Sequence, residues 1–166
     1  MNPAHRKPGD PFAVHPLSVS SAIGYEIHEF LAWEALLLDG SRYLEWSALL
    51  AKDLAYRCPG RPDAERSYNM TLWHLRKQPA VAKTAHGHTH RFVSNVIVTH
   101  GDCSGEFAVA SYILVNYSHP EHADTKAFTV DRRDHLLRMP NTFRIMRREV
   151  RMGHVSPDVR ELIGLL

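Results

Sequence analysis

The sequence predicts an α+β domain in which N-terminal helices pack against a strongly curved, mainly antiparallel sheet. Three observations lead there. Apolar residues recur at helical spacing from Ile27 to Leu38. From about Thr89 onward the pattern changes to the period of two that marks strands. The helices come first and the strands follow as a meander, an order that segregates the two kinds of element.

Residues 1–17 are rich in Pro and His without periodicity and read as a flexible arm ahead of a single domain over 18–166. Ser18, Ser20 and Ser21 offer N-caps to the first helix. In that helix Ile27, Phe30, Leu31, Glu34, Ala35 and Leu38 share a stripe that holds one carboxylate. Asp39-Gly40 should end it, with Gly40 suited to the left-handed position after a helix. Ser41 is then expected to cap a second helix in which Tyr43, Trp46, Ser47 and Leu50 share a face.

Leu54 to Cys58 reads as a short strand that Pro59-Gly60 closes. Ala64, Leu72 and Leu75 are compatible with a third helix between Asp63 and Gln78. Thr89 to Thr99 alternates with Phe92, Val96 and Val98 on one face and Val93 and Ile97 on the other. Phe107 to Tyr117 places Phe107, Val109, Ile113 and Val115 opposite Ala108, Ala110, Tyr112 and Leu114. Gly101-Asp102 to Gly105 turns between these two strands. Strands near Thr125 to Arg132 and Thr142 to Met152 follow, joined through Met139-Pro140-Asn141, and Pro157 opens a short helix over Asp158 to Leu166.

Composition narrows the function. Twenty Lys and Arg stand against 18 Asp and Glu, a net charge of +2 without a basic stripe, which argues against nucleic acid. No apolar run approaches the roughly 20 residues of a membrane span. Pro3, Pro8, Pro11 and Pro16 interrupt any signal-peptide core, so a cytoplasmic protein is expected. Cys58 and Cys103 fit reduced thiols. Neither lies in a Cys-x-His or Cys-x-x-His pair, so the chain cannot ligate a Rieske cluster.

Candidate chemistry is sparse. His86, His88 and His90 alternate along a strand entry and could converge on zinc or iron. No Asp or Glu lies between residues 66 and 101 to complete a facial triad, and a solvated His-rich strand entry is the plainer reading. Glu34 on the inner stripe and Asp53 near a strand start are candidate buried acids. A buried glutamate is more often half of an ion pair, and Arg91 and Arg147 are the candidate mates. The two middle strands are apolar on both faces, which few helices can cover. The arm and last helix could cover the second face, but association with other subunits explains it better. Arg91, Val93, Asn95, Ile97, Tyr112 and Leu114 are the interface candidates.

The run from Phe30-Leu31-Ala32-Trp33-Glu34-Ala35 through Leu37-Leu38-Asp39 to Tyr43 and Trp46, with the strand His90-Arg91-Phe92-Val93-Ser94-Asn95-Val96, resembles the small (β) subunits of aromatic-ring-hydroxylating dioxygenases. Ala110 to Tyr117 and Phe143 to Val150 resemble that family's later strands. Gly87-His88-Thr89-His90-Arg91 departs from the family's arginine-rich entry, and the segment between Pro59 and His86 is shorter than usual. The resemblance implies the cone-shaped fold of nuclear transport factor 2 and the ketosteroid isomerases. It implies a non-catalytic subunit with no cofactor of its own. Its large partner would carry the Rieske [2Fe–2S] centre and Fe(II), in an assembly of three large and three small subunits around a small-subunit trimer. A stand-alone isomerase, dehydratase or binding protein with an apolar pocket is the alternative on this fold. The catalytic carboxylate of such isomerases would fall near Arg57-Cys58-Pro59, where this chain has no acid.

Overall fold

The computed structural model describes residues 19–58, 65–67, 88–119 and 122–152. Helix α1 spans Ser21–Asp39, and Ser20 caps it by accepting a hydrogen bond from the Ile23 N–H at 3.4 Å. The whole expected stripe is buried, joined by Leu37. The helix ends differently from expectation. Gly40 keeps an ordinary φ of −80°, and Ser41 takes the left-handed turn at φ 55°. The Arg42 N–H reaches the Leu37 carbonyl at 2.8 Å and the Ser41 N–H reaches that of Leu38 at 3.1 Å, the two bonds of a Schellman cap. Ser41 therefore closes α1 and caps nothing. The second helix, α2, is the single turn Tyr43–Ser47, has no side-chain cap, and buries Trp46.

Six strands follow: β1 Leu50–Arg57, β2 Glu65–Ser67, β3 His88–His100, β4 Glu106–His119, β5 His122–Arg138 and β6 Phe143–Met152. They form one sheet in the order β2-β1-β6-β5-β4-β3. Every pairing is antiparallel except β1 with β6, which is parallel. A helix over residues 63–78 is overturned at Glu65–Ser67, which pair with β1. The rest of that segment, the arm, His86 and the helix expected over 158–166 lie outside the described residues. Strand β5 continues past Arg132 to Arg138, because Leu136 stays buried and the chain pairs with β4 and β6 along that length.

Two bulges decide which side chains face the helices. On β3 the pairing runs Ser94↔Tyr112 and then Ile97↔Ala110, so Asn95 and Val96 stand against Ser111 alone. Asn95 absorbs the kink at φ 53°, a conformation Asn tolerates better than most residues. Val93, Val96 and Val98 consequently share the core face, and Phe92 turns out to solvent. The expected grouping of Phe92 with Val96 and Val98 is thus corrected by one inserted residue. On β6 the pairing passes from Leu136↔Ile145 to His135↔Arg147, leaving Met146 as the extra residue. Phe143 and Ile145 face inward before it, Arg148 and Val150 after it.

The core lies between α1 and the inner face of the sheet. Phe143 sits edge-on to both Phe30 and Phe107, with ring centroids 5.7 and 5.9 Å away. Ile27, Leu31, Leu37, Ile113, Val115, Val130 and Ile145 fill in around them. In the β3–β4 turn a Cβ on Gly101 would come within 2.7 Å of the Glu106 Cβ, so the corner requires glycine there.

Candidate functional site

Two features stand out: a charge cluster inside the core and a two-part outer face on the sheet. The cluster begins with Glu34, which the helical period of α1 aims at the sheet. On β5 the inner positions Phe128, Val130, Arg132, Asp134 and Leu136 alternate strictly, which carries two charged residues into the apolar face. The bulge at Met146 brings Arg148 in beside them.

The four charged groups, each no more than 3 % exposed, compensate one another. Arg148 donates to Glu34 through Nη1 to Oε1 at 2.6 Å and Nη2 to Oε2 at 3.0 Å. Its Nε and Nη2 also donate to the two carboxylate oxygens of Asp134 at 2.7 and 2.9 Å. Arg132 Nη1 donates to Glu34 Oε2 at 2.9 Å, and the Trp46 indole N–H donates to Oε1 at 3.0 Å. Burial alone would push the Glu34 pKa up. The Arg148 and Arg132 guanidinium charges, with the hydrogen bonds from Arg148 and Trp46, outweigh that and bring it down to about 2. Burial pushes Arg148 the other way, yet the Asp134 and Glu34 carboxylates raise it well above its ordinary value.

This arrangement is built to stay charged. A general base works best with a pKa near the working pH, so Glu34 has little affinity for a substrate proton. Asp53, the other candidate acid, is exposed on β1 and lacks the desolvation such a base needs. The candidate mates of Glu34 are also corrected. Arg147 is exposed, and Arg91 instead holds Asp39 at the end of α1, pairing through its guanidinium and donating its backbone N–H to Oδ2 at 2.9 Å. Arg132, Asp134 and Arg148 were missed by sequence reasoning. The unbroken alternation from Phe128 to Leu136 was the available signal for the first two.

The outer face divides into halves. On β3 and β4, Phe92 is 55 % exposed, Tyr112 44 % and Leu114 39 %, with Ile97 half-buried beside them. Phe92 lies directly opposite Leu114 and Ser94 opposite Tyr112. On β5 and β6 opposite charges face each other in register, Asp131 with Arg151 and Arg133 with Glu149. Glu149 also accepts from Arg151 at 2.7 Å and lies 3.7 Å from Arg57. A groove of about 170 Å³ marks the boundary, lined by Asn95, Tyr112, Asp131, Arg133 and Glu149 among others. Of the interface candidates, Asn95, Ile97, Tyr112 and Leu114 lie on this face. Arg91 and Val93 lie on the helix side, for the reason the Asn95 bulge supplies.

His88 and His90 are exposed on β3, and His86 lies outside the described residues. Among the described residues no three His, Cys, Asp or Glu side chains are grouped to hold a metal. Cys58 is buried after β1 and Cys103 is exposed in the β3–β4 turn. No described helix is long and apolar enough to cross a membrane.

Helices ahead of this mixed sheet define the cone-shaped α+β class. Comparison with known proteins narrows it. The family model for the ring-hydroxylating beta subunit matches residues 68–156. The chlorobenzene dioxygenase beta subunit of Cupriavidus sp. (strain PS12) is 32 % identical over 80 % of this chain and 81 % of its own. A naphthalene 1,2-dioxygenase structure with indole in the active site superposes with a TM-score of 0.76 at 16 % identity, covering 93 % of this chain and 89 % of that one. The benzoate 1,2-dioxygenase beta subunit of Burkholderia mallei gives 0.71 at 15 % identity over 81 % and 91 % of the two chains. The chain belongs to the family of ring-hydroxylating dioxygenase beta subunits.

Proposed function

We propose that this chain is a non-catalytic beta subunit that supports a large subunit in a cytoplasmic, aromatic-ring-hydroxylating dioxygenase. The large subunit carries the Rieske [2Fe–2S] centre and the Fe(II), and this chain holds no cofactor of its own. The small subunits form a trimer, and three large subunits complete the assembly. The family match carries the reading. Two features of the chain support it. Among the described residues the deeply buried carboxylates are Glu34 and Asp134, and Glu34, locked between two guanidinium groups, is unsuited to acid–base catalysis. Three of its exposed apolar residues, Phe92, Tyr112 and Leu114, gather on one sheet face beside a charged rim, the anatomy of an association surface, while Tyr25, Trp33, Leu36 and Leu44 are exposed on the helices. The partner contacts are proposed at Phe92, Asn95, Ile97, Tyr112 and Leu114.

Co-expression with a ring-hydroxylating dioxygenase large subunit from the same source, followed by size-exclusion chromatography and iron analysis, tests the proposal. The two chains should co-elute in equal amounts, with all iron and all ring hydroxylation requiring the large chain. Turnover of an aromatic substrate, or a stoichiometric iron–sulfur spectrum, from this chain alone would overturn it.

A further inference from the structure

The charge cluster is not closed. Arg132 Nη2 and Nε and the Ser111 hydroxyl are buried and meet no hydrogen-bonding group among the described residues. Arg132 Nε comes within 3.2 Å of Asp134 Oδ2, near enough for attraction but not aligned as a hydrogen bond. Ser111 and Arg132 stand directly opposite each other in the β4–β5 register, on the inner face. Cross-strand partners on one face hold their Cβ atoms about 5 Å apart, so the two side chains leave the sheet side by side.

Leaving buried donors unmet costs the full desolvation of each group, a large part of the narrow margin that keeps a domain folded. An acceptor from outside the chain resolves this. Its charge can be inferred. Glu34 and Asp134 balance Arg132 and Arg148, so the cluster is neutral as it stands. A further anion would leave a net buried charge, which low-dielectric surroundings penalise heavily. A neutral molecule that both donates and accepts suits Ser111 and Arg132 together.

We propose that a resident internal water bridges Ser111 Oγ and Arg132 Nη2, tying β4 into the network that already joins α1, α2, β5 and β6. The water accepts from the guanidinium and exchanges a hydrogen bond with the hydroxyl. It gives the cluster a fifth element without adding charge.

A high-resolution crystal structure of the assembled protein, grown with bromide present, is the direct test. Density within hydrogen-bonding distance of both atoms and without anomalous signal is expected. Oxygen-17 magnetic relaxation dispersion then counts long-lived waters in solution, and Ser111→Val should lose one relative to the parent. If Ser111→Val does not fold, the density and anomalous signal of the parent decide alone. A direct Ser111–Arg132 hydrogen bond without intervening density, bromide at the position, or an unchanged water count in folded Ser111→Val would overturn the proposal.

Discussion

Glu34 receives four hydrogen bonds from three side chains, and removing its charge should be felt throughout the core. Glu34→Gln keeps the shape but leaves two guanidinium groups facing one carboxylate. Breaking a buried pair on one side costs about 3–5 kcal/mol, so the urea midpoint should fall markedly with an unchanged slope. Acid should act on the same bond. The folded-state pKa of about 2 lies below the ordinary value of 4.5, so the stabilisation is complete above that ordinary value and is lost as pH falls toward 2. Stability measured between pH 6 and pH 2 should therefore drop, and the drop should be smaller in Glu34→Gln. An equal pH dependence in both proteins would refute the assignment. The sequence made this residue legible as a buried, paired acid because one carboxylate interrupted an apolar helical stripe. Its partners were not legible, since they come from strands 98 and 114 residues away along the chain.

Elements were easier to place than their faces. Alternation from Phe143 and Ile145 assigns Arg147 to the core, and the single inserted Met146 hands that position to Arg148. The trace of the insertion was present, because Ile145 and Val150 are both apolar at an odd separation that no regular strand places on one face. Asn95 does the same on β3, where Val93 and Val96 stand an odd number apart. A paired substitution checks this: Arg148→Met should cost several kcal/mol, as loss of a buried ion-pair partner does, while Arg147→Met should stay within about 0.5 kcal/mol. Equal costs would mean that the bulge lies elsewhere. The α1 cap offers an independent test. Ser41 pays for its left-handed backbone with crowding at Cβ that glycine avoids, so Ser41→Gly should raise stability by about 1 kcal/mol in thermal or urea unfolding. A loss of stability would mean that the serine side chain, which accepts from the Tyr43 hydroxyl at 3.3 Å, matters more than the strain.

For the whole molecule, the helices-first order was enough to read the α+β class, and strands apolar on both faces were enough to expect a second apolar surface, whose association with other subunits is a proposal. Which residues compose that surface depended on the Asn95 bulge, which exchanges Val93 for Phe92. The large apolar residues exposed on the sheet are therefore Phe92, Tyr112 and Leu114, beside the charge ladder of β5 and β6. This asymmetry bears on how copies associate. An apolar half buries favourably against another apolar surface at about 25 cal/mol per Å², while the facing charges of the other half, with Arg151 and Arg57 at Glu149, suit a wet rim. Identical copies that close into a ring cover such a patch without leaving a growing end, and a three-fold ring is the proposed state. Phe92→Glu and Leu114→Glu place carboxylates opposite each other's positions on the outer face, where the monomer core is untouched. Each should leave the circular dichroism spectrum unchanged. If either residue anchors the contact, losing about 2 kcal/mol weakens association roughly 30-fold, enough for light scattering to register smaller species at micromolar concentration. Retention of the parent mass by both folded variants would move the contact off this face, and a parent protein that is itself monomeric would reject self-association altogether.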